Sequence, residues 1–252
     1  MEEIQVHHNK KGDCLRIEKD DDRLLVYKAG TRLGSVVLYN NPCHMKNCYL
    51  KLDLDRLDIS VSKELFHRLG AIAGRTLQAM ISSEDVMMAQ FLAAGGFICK
   101  RKCYEVEAGL KDYIGGQAHI PLVHYRTGEA EYEESCQIMF DHYVATHEAI
   151  NPWTADYACF CEKMPGDVIC AKQDDQIVAV AFVEDNEIAY IGGTDRYFFD
   201  KFARCVSAAM LANYDTICFE CDDCDWAAMM LKSLFVNQDK RSFDTYIRGD
   251  SI

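Results

Sequence analysis

The sequence predicts an α/β protein made of two similar halves, each a mixed sheet flanked by helices, with the first half shorter than the second. Three observations predict it. Apolar residues switch between a two-residue and a 3.6-residue period along the chain, the signatures of half-buried strands and amphipathic helices. The order strand hairpin, strand, helix, strand, helix, strand occurs twice. Matching landmarks, such as the helix ends at Gly96-Phe97 and Leu234-Phe235, recur at an offset of about 140 residues, which suggests duplication. Helices between most later strands argue for partly parallel pairing.

In the first half, Cys14–Lys19 and Arg23–Lys28 read as strands around the acidic turn Asp20-Asp21-Asp22. Leu33–Tyr39 is rich in residues suited to a pleated surface. Tyr49–Asp53 alternates leucines with charged residues. From Ser62 the period changes: Leu65, Phe66, Leu69, Ile72 and Ala73 share a helical face, with Ser62 as the expected cap and Gly74 as the stop. Thr76–Ser82 then reads as a strand, Glu84–Ala94 as a helix and Ile98–Glu107 as a closing strand.

Lys111–Gly116 is the expected linker, dividing the chain into domains 1–110 and 117–252. In the second half, Ile120–Tyr125 reads as a strand, Glu129–His147 as a helix and the aromatic stretch Ala149–Lys163 as helix plus loop. Asp167–Lys172, Gln176–Val183 and Glu187–Ile191 read as strands. A helix carrying Phe202, Val206 and Met210 follows, then strand Thr216–Glu220, helix Trp226–Leu234 and closing strand Phe243–Ile247.

With 252 residues, about half of them apolar, and only four prolines, the chain can bury a substantial core and needs no long disordered linker. No run approaches the roughly 18–20 apolar residues that span a bilayer, and the N-terminal residues have no apolar signal-peptide core. A cytoplasmic protein without membrane association is expected. The net charge of −13 argues against nucleic acid as a partner. Thirteen cysteines in such a compartment read as reduced thiols, several within apolar runs. Cys221 and Cys224 form a C-x-x-C, but no second pair or histidine pair accompanies it at zinc-knuckle spacing, so no metal is expected.

The order of elements, with Gly-Phe after the second helix, resembles the GNAT superfamily of acyl-CoA N-acyltransferases over nearly the whole chain. The likeness implies two tandem domains of that fold, the N-terminal copy truncated because it has no helices before its strands. In the family the fourth strand leads into a loop R/Q-x-x-G-x-G/A, whose backbone amides and helix start hold the coenzyme A pyrophosphate. Here that pattern falls on Leu57-x-x-Ser60-x-Ser62 and on Phe198-x-x-Lys201-x-Ala203. The resemblance therefore implies that acetyl-CoA or coenzyme A is the co-substrate. It would be held by Leu52, Ser60, Val61, Ser62 and Lys63 in the first half, and by Gly193, Thr194, Lys201, Phe202 and Ala203 in the second. Leucine and phenylalanine replace the Arg/Gln, and Asp53, Asp55 and Asp58 bring negative charge to the first loop.

The tyrosine that many members use as general acid falls on Leu92 and Met230, neither of which can donate a proton. Tyr246 or Tyr190 could replace it, and Glu187, with Glu184 beside it, could act as general base. The first two helices of the second half usually form the acceptor site, which makes His142, His147, Trp153 and Tyr157 candidate lining residues. The expected activity is acyl transfer from acetyl-CoA to a small-molecule or peptide amine by direct attack, with Glu187 and Tyr246 catalytic and a homodimer as the candidate assembly. The alternative is a binding or scaffold protein that keeps the fold and has lost the chemistry. No cysteine–histidine pair at a telling spacing supports thiol catalysis.

Overall fold

The computed structural model describes residues 15–236 and 238–249. Cys14, where the first strand was expected to start, lies outside them. The elements run β1 (Leu15–Asp20), β2 (Arg23–Lys28), β3 (Thr31–Asn41), β4 (His44–Leu54), α1 (Ile59–Ala73), β5 (Thr76–Ser82), α2 (Val86–Ala94) and β6 (Phe97–Gly109). A 3-10 turn at Leu110–Asp112 leads to β7 (Val123–Arg126), α3 (Ala130–His147), α4 (Tyr157–Cys161), β8 (Asp167–Gln173), β9 (Gln176–Glu184) and β10 (Glu187–Gly193). The chain continues through α5 (Arg196–Leu211), β11 (Thr216–Asp222), α6 (Trp226–Lys232) and β12 (Phe243–Arg248). The α/β class and mixed pairing are as the sequence implied. β4–β5 and β10–β11 pair parallel, and β1–β2, β2–β3, β3–β4, β5–β12, β6–β11, β7–β8, β8–β9 and β9–β10 pair antiparallel.

Contacts group the chain into two compact units. Unit 1 holds the described residues up to Lys100 together with those from Phe243 onward, and unit 2 is Arg101–Ser242. The units therefore differ from the linear segments 1–110 and 117–252 in where the closing strands lie. β12, the last strand of the second half, pairs antiparallel with β5 in unit 1. β6, the last strand of the first half, runs into unit 2 and pairs with β11 from Gly109 to Cys103. The expected linker is likewise built into unit 2, where Ile114 N donates to Leu234 O and Val236 N to Asp112 O, each at 2.8 Å.

Unit 1 orders its strands β1-β2-β3-β4-β5-β12, with α1 and α2 on one face. Leu50, Leu65, Phe66, Leu69, Leu77 and Phe91 are almost wholly buried there. The sequence misplaced the start of α1. Asp58 is the cap and accepts from Ser60 N at 3.0 Å, so the helix begins at Ile59, a turn before Ser62. Gly74 ends it as expected, with φ at 63°. Arg248 of β12 ties this unit together, donating from Nη1 to Phe66 O at 2.7 Å and from Nε to Gly95 O at 3.2 Å.

Unit 2 orders its strands β6-β11-β10-β9-β8-β7. Side chains alternate across β9, so Val180 and Phe182 pack under α3 and α4 while Ala179 and Ala181 pack under α5 and α6. The β8–β9 hairpin turns on Asp174 and Asp175, both at positive φ, a primed turn that matches strand twist and that aspartate tolerates. No helix among the described residues is long and apolar enough to cross a membrane.

Arg248→Ala removes two charge-assisted hydrogen bonds to helix carbonyls and is expected to lower stability by about 2–3 kcal/mol in urea unfolding. Amide exchange should accelerate in α1 and β5 and stay unchanged in β8 and β9. Equal loss in all four would contradict the placement of β12 in unit 1.

Candidate functional site

β10 and β11 run parallel but share one register position, Glu187 opposite Cys218. Beyond it they separate, and the space between them is the natural place for a ligand in such a sheet. Here that space is filled from both faces. His142 of α3 meets Trp226 at the start of α6 with ring centroids 5.0 Å apart, and Trp226 meets Phe199 of α5 at 5.1 Å. Because α3 covers one face and α5 with α6 the other, this chain of rings passes through the gap. The two glycines that end β10 make room for it. A Cβ at Gly192 would lie 2.8 Å from His142 Cγ, and one at Gly193 would lie 3.1 Å from Phe199. His142 Nε2 is also 2.9 Å from Asp225 Oδ1, and both side chains are nearly inaccessible.

Toward the paired end of the gap, on the α3 and α4 face, lies an open cavity of about 520 Å³. Glu184, Glu187, Tyr190 and Glu220 line it, with Lys163 and Gly166 on the rim. Two cross-strand pairs of like charge lie in this region, Glu184 opposite Glu187 and Glu220 opposite Glu105. Like charges directly opposite each other destabilise a sheet. Burial pushes the Glu220 carboxyl above the usual range, and Asp222, Glu105 and Glu187 push it further. β10 is bulged between Ile188 and Tyr190, which leaves Ala189 on the cavity wall without a register partner in β9.

The helix starts that would receive a pyrophosphate are already capped. In unit 2, Asp195 Oδ1 accepts from Tyr197 N at 2.8 Å and from Phe198 N at 3.2 Å. In unit 1, Asp58 takes the equivalent place and also accepts from Lys28 Nζ at 2.7 Å. Lys28 and Ser60 hold the Asp58 carboxyl down at about 2, so it stays charged. A phosphate would have to displace an aspartate at either position.

The residues singled out from the sequence are scattered accordingly. Glu187 and Tyr190 line the acidic cavity of unit 2. Tyr246 is on β12 in unit 1 and packs against the core under α1 and α2. Leu52 packs against that same core, Val61 is within it, and Lys63 is exposed. Ser60 contacts Asp58 and Lys28, whereas Ser62 is buried and donates to Phe91 O. Gly193 is buried against Phe199, and Thr194 N donates to Val178 O. Lys201 lies over the Tyr197 ring, and Phe202 and Ala203 are buried on the core face of α5. At the missing general-acid positions, Leu92 is a core residue of unit 1 and Met230 is partly buried against the core of unit 2.

His142, His147, Trp153 and Tyr157 do not line the acidic cavity. The two histidines pair with buried aspartates, His147 Nε2 lying 3.0 Å from Asp222 Oδ2. Trp153 packs on Phe160 and Tyr157 on Phe140 in the core beneath α3 and α4. Sequence reasoning missed the aspartate partners because they lie 83 and 75 residues further along the chain. It also missed Arg101, whose Nη1 is 2.9 Å from Asp222 Oδ2. Burial pushes the Cys221 and Cys224 thiols up to about 12, far from the ready thiolate that thiol catalysis needs.

No protein-family model matches the chain, and no curated protein matches it either. Solved structures do. A GCN5-related N-acetyltransferase from Sphaerobacter thermophilus superposes with a TM-score of 0.52 at 10% identity, covering 90% of this chain and 80% of that one. A GCN5-related N-acetyltransferase from Kribbella flavida gives 0.49 at 13% identity over 94% and 90% of the two chains. A tandem GNAT protein from the clavulanic acid biosynthesis pathway gives 0.48 at 12% over 95% and 85%. The first of these carries the assignment; the other two add no weight to it. The chain has the fold of the GNAT acetyltransferases.

Proposed function

We propose that the chain is an acyl-CoA-dependent N-acyltransferase acting on a cationic amine, arisen by tandem duplication of the GNAT fold, with unit 2 as the working half. The observation that carries this reading is the acidic cavity beside the β10–β11 divergence. Among the described residues no salt bridge reaches Glu184, Glu187 or Glu220. A ligand bearing positive charge would relieve the repulsion between the opposed glutamates, and an alkylammonium group fits that requirement. Glu187, where the strands begin to part, is placed to take the proton that an amine must lose before it attacks. The backbone at the Ala189 bulge faces the same cavity and is placed to orient the acyl carbonyl. Tyr190, which lines the cavity, replaces Tyr246 in this reading as the proton donor to the departing thiol.

A second reading, an amine-binding protein without transfer, is favoured by the donor side. Asp195 occupies the two amides that a phosphate needs, and the ring chain His142–Trp226–Phe199 fills the gap where the family holds pantetheine.

Calorimetric titration separates the two. On the first reading acetyl-CoA binds, and Asp195→Gly, which costs roughly a few tenths of a kcal/mol in helix capping, tightens that binding. Absence of acetyl-CoA binding up to millimolar concentration in both proteins would sink transfer and leave the second reading. In an acyl-transfer assay with a linear polyamine, Glu187→Gln should lower kcat by about 10²–10⁴. Both readings expect polyamine affinity to fall with falling pH. Glu220 holds its proton to higher pH than an ordinary glutamate, so its charge is lost first, and Glu220→Gln should flatten the upper part of that profile. A pH-independent affinity in the unmodified protein would remove the acidic cavity as the amine site.

A further inference from the structure

We propose that His147, Asp222 and Cys224 form a metal site of zinc type in unit 2, with Cys103 placed to supply the fourth ligand. The nitrogen, carboxylate oxygen and sulfur of the first three all lie within 4.8 Å of one another. Zinc bonds of about 2.0–2.3 Å put the donor atoms of a tetrahedral site roughly 3.3–3.8 Å apart, so small rotamer adjustments close the set. The mixture of imidazole, carboxylate and thiolate is one that zinc accepts and that calcium or magnesium does not.

Two further observations point to an ion. Asp222 Oδ2 is engaged by His147 and Arg101, but Oδ1 is buried without a hydrogen-bond partner. A buried carboxylate oxygen left in that state is unfavourable, the more so when it is charged. The second concerns the ring of His147. Its Nδ1 lies 2.9 Å from Thr146 Oγ1 and 3.1 Å from Tyr143 O, and its Nε2 lies 3.0 Å from Asp222 Oδ2, so the ring is held in place with one nitrogen turned to the carboxylate. A ring whose other nitrogen is anchored to a backbone carbonyl is the usual arrangement of a metal-bound histidine. Cys103 stands directly opposite Asp222 in the β6–β11 ladder, and its sulfur is 3.8 Å from Glu220.

The site does not use the C-x-x-C as such. Cys221 points to the opposite face of β11, into the core under α5 and α6, with its sulfur 3.4 Å from Met229 Sδ. The ligands come instead from the end of α3, the end of β11, the turn into α6 and the start of β6. A bound ion would fasten β6, the strand contributed by the first half of the sequence, to the body of unit 2. This inference is independent of the acyltransferase reading.

The test measures zinc by elemental analysis in protein purified without chelator, then titrates chelator-stripped protein with cobalt(II). About one ion per chain and a sulfur-to-cobalt charge-transfer band are expected. Cys224→Ser and His147→Gln should weaken cobalt binding roughly tenfold or more, while Cys221→Ser leaves it unchanged. Cys224→Ser is near-isosteric and keeps the test decisive if His147→Gln fails to fold. Absence of the sulfur band in unmodified protein would overturn the site and assign a proton to the His147–Asp222 contact. Equal affinity in Cys224→Ser would overturn it as well.

Discussion

Two parallel strands that pair at one position and then separate turn backbone edges toward a space that something must occupy. In unit 2 that space lies between β10 and β11. It is occupied by His142, Trp226 and Phe199, drawn from three helices on both faces of the sheet. Much else follows from this filling. Gly192 and Gly193 have no room for side chains, α3 is held against β10, and Asp225 serves at once as the cap of α6 and the partner of His142. In a sheet of this kind the divergence normally admits a ligand. Here the protein's own rings take much of that volume, and the open volume is displaced toward the paired end, where the glutamates lie.

On the proposed acyl-transfer reading, the acceptor and donor sides differ. The acceptor side keeps charge at a position where charge is unfavourable for folding: Glu184 opposes Glu187, and Glu220 opposes Glu105. The donor side has been tidied. Aspartates cap both helix starts, which favours the helices and disfavours an anion. Stability alone accounts for the caps, but it does not account for the glutamates.

The sequence made the alternation of strands and helices legible because apolar spacing reports which residues face a core. It also made Glu187 and Glu184 legible as carboxylates beside the divergent strand. It could not show which sheet a closing strand joins, since β6 and β12 carry the same kind of alternation and either would satisfy an open edge. Ser62 looked like a cap because serine is common there, yet Asp58, a stronger acceptor four residues earlier, won the position and Ser62 turned into the core. The His142–Asp225 and His147–Asp222 pairs left no local signal. On α3 the histidines are ordinary members of an apolar stripe, and their partners are fixed only once β11 has docked.

The exchange of closing strands has a consequence for how the chain is made. Synthesis runs from the N-terminus, and domains commonly fold as they leave the ribosome. Unit 2 has its exchanged strand, β6, from the outset, so it can finish as soon as α6 emerges. Unit 1, although it precedes unit 2 in the chain, lacks β12 until residues 243–248 have been made. Its β5 edge and the carbonyls of Phe66 and Gly95 wait through the synthesis of unit 2 for Arg248 and its strand. The half that is born first is the half that must be finished last.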